Sequence, residues 1–272
     1  MKEVSIGFIG AGNMATSLAG GIIAKGTKAR NVWMSDPNES ARKLAADMLR
    51  VQVTEDNSEV LANCDVLVLA VKPQVMKAVI EPLAKLAQEK KPLIISIAAG
   101  ITIESLQQWM GDLPIVRCMP NTPALVQTGA TGLYANPMVD EEQRQLAKDI
   151  LHSVGIALWV DEEATLDTVT AVSGSGPAYF FLVMEAMIDA GKELGLSESE
   201  ATQLTLQTAL GAAQMAITSD DSAATLRKKV TSPGGTTEQA ILTFEQGNLR
   251  ELFKQALTAA KVRSEELAKA DD

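Results

Sequence analysis

A chain of 272 residues with 46% hydrophobic side chains is long enough for one large domain or two modest ones around a proper core, which excludes a disordered polymer. A formal charge of −10, with the 24 Lys and Arg residues dispersed rather than clustered, excludes nucleic acid as an expected partner because a phosphate backbone would be repelled. Cys64 and Cys118 lie far apart, with no C-x-x-C spacing and only His152 as a further soft ligand, so neither a metal site nor a disulfide framework is encoded and a cytoplasmic location is expected.

Met1-Lys2-Glu3 runs directly into the strand-like Val4-Ser5-Ile6-Gly7-Phe8-Ile9 with no extended apolar region or cleavage site behind it, so no secretion signal is expected. Short apolar runs at 4–9, 32–35, 66–71, 93–97 and 115–118 alternate with amphipathic stretches, the pattern of βαβ units and a parallel sheet. After a last strand-like run at 157–160 the pattern is helical, with helix-start chemistry such as Ser197 followed by Glu200. The expected fold is α/β, a Rossmann-type sheet domain over 1–160 and an all-α domain over 161–272. No linker separates the halves, so a tight interface with the active site in a cleft is expected. Residues 201–219 carry no formal charge, but Gln203, Gln207 and Gln214 would be costly in lipid, so a buried or interface helix is expected there.

The first motif is Gly10-Ala11-Gly12-Asn13-Met14-Ala15, a G-x-G-x-x-A after a strand and before a helix. Gly10 permits the tight turn, Gly12 lets the backbone approach a pyrophosphate, and Ala15 lets the helix pack close to the strand. Gly20 and Gly21, further along that helix, read as packing positions. Asp36 follows the second strand, where an acid usually takes the ribose hydroxyls of NAD and repels a 2′-phosphate. Ser35, Asn38 and Asn57 could instead bond such a phosphate, with Arg42 and Lys43 as counter-charges, so these residues leave the cofactor choice open. Lys72-Pro73 places a cation and a rigid turn at the carboxyl edge of the sheet.

The segment 171–180, Ala-Val-Ser-Gly-Ser-Gly-Pro-Ala-Tyr-Phe, opens a long helix, and its glycines should bring backbone near a ligand. In β-hydroxyacid dehydrogenases a comparable helix start is followed by a catalytic lysine, but four residues beyond Gly176 stands Phe180. His152, the only histidine, reads as a surface or packing residue, so alcohol oxidation lacks a proton acceptor. An imine avoids that difficulty, because its nitrogen protonates in solution and the iminium carbon accepts hydride with little further help. A second glycine turn, Ser232-Pro233-Gly234-Gly235-Thr236-Thr237, reads as a helix start with Ser232 at the N-cap and Pro233 in the first helical position. The backbone N–H groups of Gly234, Gly235 and Thr236 are then expected to face an anion such as a substrate carboxylate.

Six blocks in order resemble pyrroline-5-carboxylate reductases over nearly the whole chain: 7–14, 70–73, 97–100, 117–123, 173–179 and 230–237. The last is the most specific. The resemblance implies reduction of 1-pyrroline-5-carboxylate to L-proline, with Thr237 facing the ring nitrogen and Ser175, Asn121, Ser232, Gly234, Gly235 and Thr236 around the substrate. It implies a dinucleotide held by Ile9, Gly10, Ala11, Gly12, Asn13, Met14, Ser35, Asp36, Asn57, Ala70, Val71, Lys72, Pro73 and Ala98, with NADPH expected and NADH the alternative. It also implies a homodimer through the helical domain, assembled into decamers in many members. The rival readings are another reductase on the same architecture and a cofactor-sensing protein without chemistry.

Overall fold

The computed structural model describes residues 4–270; the opening Met1-Lys2-Glu3 lies outside the described residues. Among them, an eight-stranded sheet is built from β1 (Ile6–Ile9), β2 (Val32–Ser35), β3 (Gln52–Thr54), β4 (Val66–Leu69), β5 (Leu93–Ser96), β6 (Ile115–Met119), β7 (Gly129–Ala135) and β8 (Gly155–Trp159). Their spatial order is β3-β2-β1-β4-β5-β6-β7-β8. The intervening helices are α1 (Asn13–Ala24), α2 (Glu39–Leu49), α3 (Asn57–Ala62), α4 (Pro73–Ile80), α5 (Ala84–Lys90), α6 (Ile103–Met110) and α7 (Glu141–His152). Then come α8 (Thr165–Val169), a π turn over Thr170–Gly174, α9 (Gly176–Glu193), α10 (Glu198–Thr218), α11 (Ala223–Lys229), α12 (Thr236–Gln246) and α13 (Leu249–Ala270).

β1, β4 and β5 are buried at every residue, as strands covered by helices on both faces must be. Alternation divides their side chains: Phe8, Val68 and Ile95 join the core with α1 and α7, while Ile9, Leu67, Leu69 and Ile94 join the core with α4 and α6.

Two strands lie outside the sequence expectation. β3 is a three-residue edge strand, too short to show alternation. β7, Gly-Ala-Thr-Gly-Leu-Tyr-Ala, has two glycines and little apolar periodicity, and it pairs antiparallel to β6, so the sheet is mostly rather than wholly parallel. Gly132 is required there because a Cβ would stand 2.8 Å from Val169 of α8. The run expected at 66–71 ends as a strand at Leu69, and Ala70 and Val71 form the edge loop.

Two compact units divide at Ser175/Gly176. The first contains the sheet, α1–α8, the π turn and residues 259–270; α8 belongs with it because it packs on β6 and β7. The C-terminal end of α13 is tied into the same unit by the buried Ser264 hydroxyl, which donates to Asp167 Oδ1 at 2.6 Å. The second unit, residues 176–258, is entirely helical. The Ser197/Glu200 capping box starts α10: Glu200 N–H donates to Ser197 Oγ and Ser197 N–H to Glu200 Oε2, and the Ser197 hydroxyl, followed by that Ser197 amide, holds the Glu200 carboxyl below the usual carboxylate range by donating to it. Few of its apolar side chains are covered within the chain: Phe180, Phe181, Leu204, Leu210 and Ile217 are all exposed. The helical run Thr165–Glu193 is long and apolar enough to cross a membrane by length and composition, and it is the one such helix among the described residues.

The adjacent glycines of α1 separate by sign. A Cβ at Gly21 would meet Ser153 Oγ at 2.6 Å and Val154 Cγ1 at 2.7 Å, whereas one at Gly20 would meet only Leu49 Cδ2 at 3.4 Å. In urea denaturation Gly21→Ala is expected to destabilise by about 1–3 kcal/mol through overpacking. Gly20→Ala is expected to stabilise by roughly 0.5–1 kcal/mol through lost unfolded-state freedom.

Candidate active site

Strand register gathers the first site. Ile9 pairs with both Ser35 and Leu69, and Leu69 pairs with Ser96, so Gly10, Asp36, Ala70 and Ile97 all leave the sheet at one carboxyl edge. β1 lies between β2 and β4, the point where strand order reverses and open α/β sheets bind ligands. Gly10 has φ +100°, and a Cβ there would stand 2.7 Å from the Ala70 carbonyl oxygen. Gly12 is the N-cap of α1 with no side-chain capping bond, and nothing lies within 4 Å of where its Cβ would be. Ala15 is buried against the sheet. An open helix N-terminus with clear space above a glycine fits the pyrophosphate of a dinucleotide.

Asp36 braces this loop. Its Oδ2 accepts from Ala11 N–H and its Oδ1 from Asn38 N–H, both at 2.9 Å, while Arg42 Nη1 donates to the Asp36 carbonyl at 2.7 Å. Ser35 is placed differently from the expected phosphate contact. It is fully buried at the end of β2, and its hydroxyl donates to Asn57 Oδ1 at 2.7 Å, so Asn57 is the half-buried group of the pair. On the β4 side, Ala70 and Val71 are half-buried, exposed Lys72 is the N-cap of α4, and Pro73 is its first residue. Ile9 and Ala98 are buried, Met14 is half-buried and Asn13 is exposed.

The loop after β5 has a support that the sequence did not signal. Glu163 Oε1 accepts from Ile103 N–H, at the start of α6, and from Arg117 Nη1, each at 2.9 Å. The ion pair is mostly buried, so loss of one partner would strand the other charge. Asn121 is also buried: its Nδ2 donates to the Ser173 carbonyl at 3.0 Å and its Oδ1 accepts from Ala130 N–H at 2.8 Å. Asn121 therefore ties β7 to the π turn, and Ser175, whose N–H donates to the Thr170 carbonyl, closes that turn. π turns of this kind recur at functional sites.

The second glycine turn lies within the helical unit, and its helix starts later than expected. Ser232 is not the N-cap, nor Pro233 the first helical residue. Gly235 caps α12 and Thr236 begins it. Gly235 N–H donates to the Ser232 carbonyl at 3.0 Å and Gly234 has φ +72°, so Ser232–Gly235 forms a type II β-turn with proline and glycine at its two centres. Of the three amides expected to face an anion, Gly235 N–H closes the turn and Gly234 N–H donates to Glu238 Oε2 at 2.8 Å. The amides of the first helical turn, from Thr236 on, remain for a ligand. Thr237 is half-buried in that turn, and Ser232 and Thr236 are exposed. Sequence reasoning also passed over Tyr179, whose hydroxyl is the one buried side-chain polar atom without a partner among the described residues.

The remaining candidates for chemistry are placed elsewhere. His152 is exposed at the end of α7, where its carbonyl accepts from Lys25 Nζ at 2.9 Å, and Phe180 is exposed on α9. Burial pushes the Cys64 thiol up to about 12, with Asp65 adding to the effect, and burial alone raises Cys118 further. Neither supplies a thiolate near neutrality.

The fold and the glycine loop define a dinucleotide-binding protein of the Rossmann type with an appended helical domain. Residues 163–267 match the family model for pyrroline-5-carboxylate reductase dimerisation, and residues 5–100 match that for NADP oxidoreductase, coenzyme F420-dependent. The chain is 56% identical to pyrroline-5-carboxylate reductase of Pseudomonas aeruginosa, with 98% of each chain covered. It resembles the solved pyrroline-5-carboxylate reductase of Coxiella burnetii with a TM-score of 0.95 and 47% identity, over 98% of this chain and 99% of that one. For the Plasmodium falciparum enzyme, solved with NADP bound, the values are 0.86 and 32%, over 98% and 99%. The chain belongs to the pyrroline-5-carboxylate reductase family.

Because folding keeps both thiols protonated, the native chain is expected to resist alkylation at pH 8 and to expose two reactive thiols on denaturation. Above about pH 9 the unfolded chain loses these protons while the folded one retains them. Stability should therefore fall from there towards pH 12, as measured by denaturant midpoints.

Proposed function

We propose that this protein reduces 1-pyrroline-5-carboxylate to L-proline with a reduced nicotinamide dinucleotide, the last step of proline biosynthesis. Family membership gives the reaction, and the observation that carries the site is the Ser232–Gly235 turn delivering Thr237 into the first turn of α12. The proposed dinucleotide-binding residues lie within 1–160 and, Asn121 apart, the proposed substrate residues and the dimerisation surface within 161–272.

Gly10 and Ala11 shape the turn, their own amides being held by the Ser35 carbonyl and Asp36, and Gly12, Asn13 and Met14 meet the pyrophosphate at the α1 N-terminus, with Ile9, Ala70, Val71, Lys72, Pro73 and Ala98 along the same sheet edge. The cofactor is NADPH, with NADH usable. Supporting this, the Asp36 carboxylate is turned onto Ala11 and Asn38 amides, Arg42 is held beside it, and Asn57 is supported by Ser35. An acid so engaged repels a 2′-phosphate less directly than one projecting at the ribose. When bound, the reduced nicotinamide supplies the hydride that C5 of the ring accepts.

The substrate carboxylate rests on the Ser232–Thr236 turn, chiefly on the amides from Thr236 on, and the Thr237 hydroxyl hydrogen-bonds the ring nitrogen. The protonated imine needs no basic side chain, since its nitrogen keeps its proton as the C=N bond is reduced. Catalysis is then mainly orientation. Ser175 and Asn121 are further substrate residues by resemblance, held by the π turn that Ser175 closes and Asn121 ties to β7. The exposed apolar faces of α9 and α10 form a homodimer interface, further assembled into decamers, in a cytoplasmic enzyme that engages neither membrane nor nucleic acid.

Loss of absorbance at the reduced nicotinamide band on adding the cyclic imine is the direct test. It should occur with both cofactors and with a higher kcat/KM for NADPH; no loss with either would leave a binding protein without this chemistry. Thr237→Ala should lower kcat/KM by roughly ten- to a few hundred-fold, the value of a hydrogen bond to a charged partner. Unchanged kinetics would remove Thr237 from the mechanism.

A further inference from the structure

The amide that the glycine turn would offer to an incoming carboxylate is already held by a carboxylate of the chain itself. Glu238, third residue of α12, reaches back past the N-cap Gly235 and accepts from Gly234 N–H at 2.8 Å. Among the described residues no Lys or Arg forms an ion pair with it, and that amide and the positive end of the helix face its charge. Above Gly234 the space is open, with nothing within 4 Å of where a Cβ would stand.

Resting on the proposed substrate site, we infer that Glu238 is an internal competitor: its carboxylate occupies the Gly234 amide in the free enzyme and is displaced by the carboxylate of the substrate or product. The competition is between like charges for one donor, so a ligand carboxylate resting on the amides from Thr236 on gains the Gly234 amide only by replacing the chain's own carboxylate. Glu238 thus sets both the affinity of the turn and its discrimination for anionic rings. It is a positioning residue, acting through Gly234.

Glu238→Gln keeps a capping-competent side chain while removing the charge, and Glu238→Ala removes the competitor altogether. Calorimetric titration of L-proline into the enzyme with oxidised cofactor present needs no turnover. Both variants should bind L-proline more tightly, by about fivefold for removal of one like charge at a half-exposed site. L-Prolinamide, which lacks the carboxylate charge, should gain nothing, and the KM for pyrroline-5-carboxylate should fall in parallel with that gain. Weaker or unchanged L-proline binding in both variants, an equal gain for L-prolinamide, or no L-proline binding by any form would overturn the inference. Tighter L-proline binding in a protein that fails to turn over the imine would instead leave Glu238's role standing and remove the proposed reaction.

Discussion

The close approach of two backbones at Gly10 is the constraint on which the cofactor half depends. With a Cβ 2.7 Å from the Ala70 carbonyl oxygen, and φ at +100°, no other residue passes between β1 and β4 without moving one of them. Because it can pass, the chain turns sharply out of β1 and begins α1 with Gly12 as a bare cap, leaving the first amides of the helix open. Asp36 then fixes the loop from the neighbouring strand through Ala11 N–H. The brace couples two features that a motif reading treats separately, the glycine loop and the acid after β2. Its consequence is that Asp36 belongs to the architecture of the glycine loop.

A comparable economy of backbone runs through the second glycine turn. Pro233 and Gly234 occupy the two centres of a type II turn, so the helix is delayed to Thr236 and its first turn is presented at the end of a tight bend. The turn consumes one amide and Glu238 another. What remains are the amides of the first helical turn from Thr236 on, the donors on which the proposed substrate site rests.

The helical unit poses the opposite problem from the sheet. Its helices are well formed, with a capping box on α10, yet Phe180, Leu204, Leu210 and Ile217 remain exposed within one chain. An apolar surface of that kind is stable only when covered, and the dimerisation family model over residues 163–267 accounts for it by a second copy. The length and apolar composition of α8–α9 fit the same account, since an oligomer face and a lipid-facing helix are both apolar.

The sequence by itself determined the alternation of strands and helices, the glycine fingerprint with its small residue at Ala15, the all-helical second half and the family blocks, because each is written in local periodicity or in residue types with a local steric job. Tertiary structure decided what pairs across the chain. β7 has no periodicity to betray it and exists because β6 and β8 offer ladders on either side, while Gly132 leaves room for Val169. Ser35 looked free to meet a phosphate, but strand register turns it inward onto Asn57. Ser232 looked like an N-cap, but the turn closed onto its carbonyl and the cap passed to Gly235. Glu163 and Arg117 lie 46 positions apart, and only folding brings them to 2.9 Å. Hydrogen bonds between distant residues leave no mark in local spacing, so residues proposed for the chemistry could be named from local motifs, while the residues that hold them in place could not.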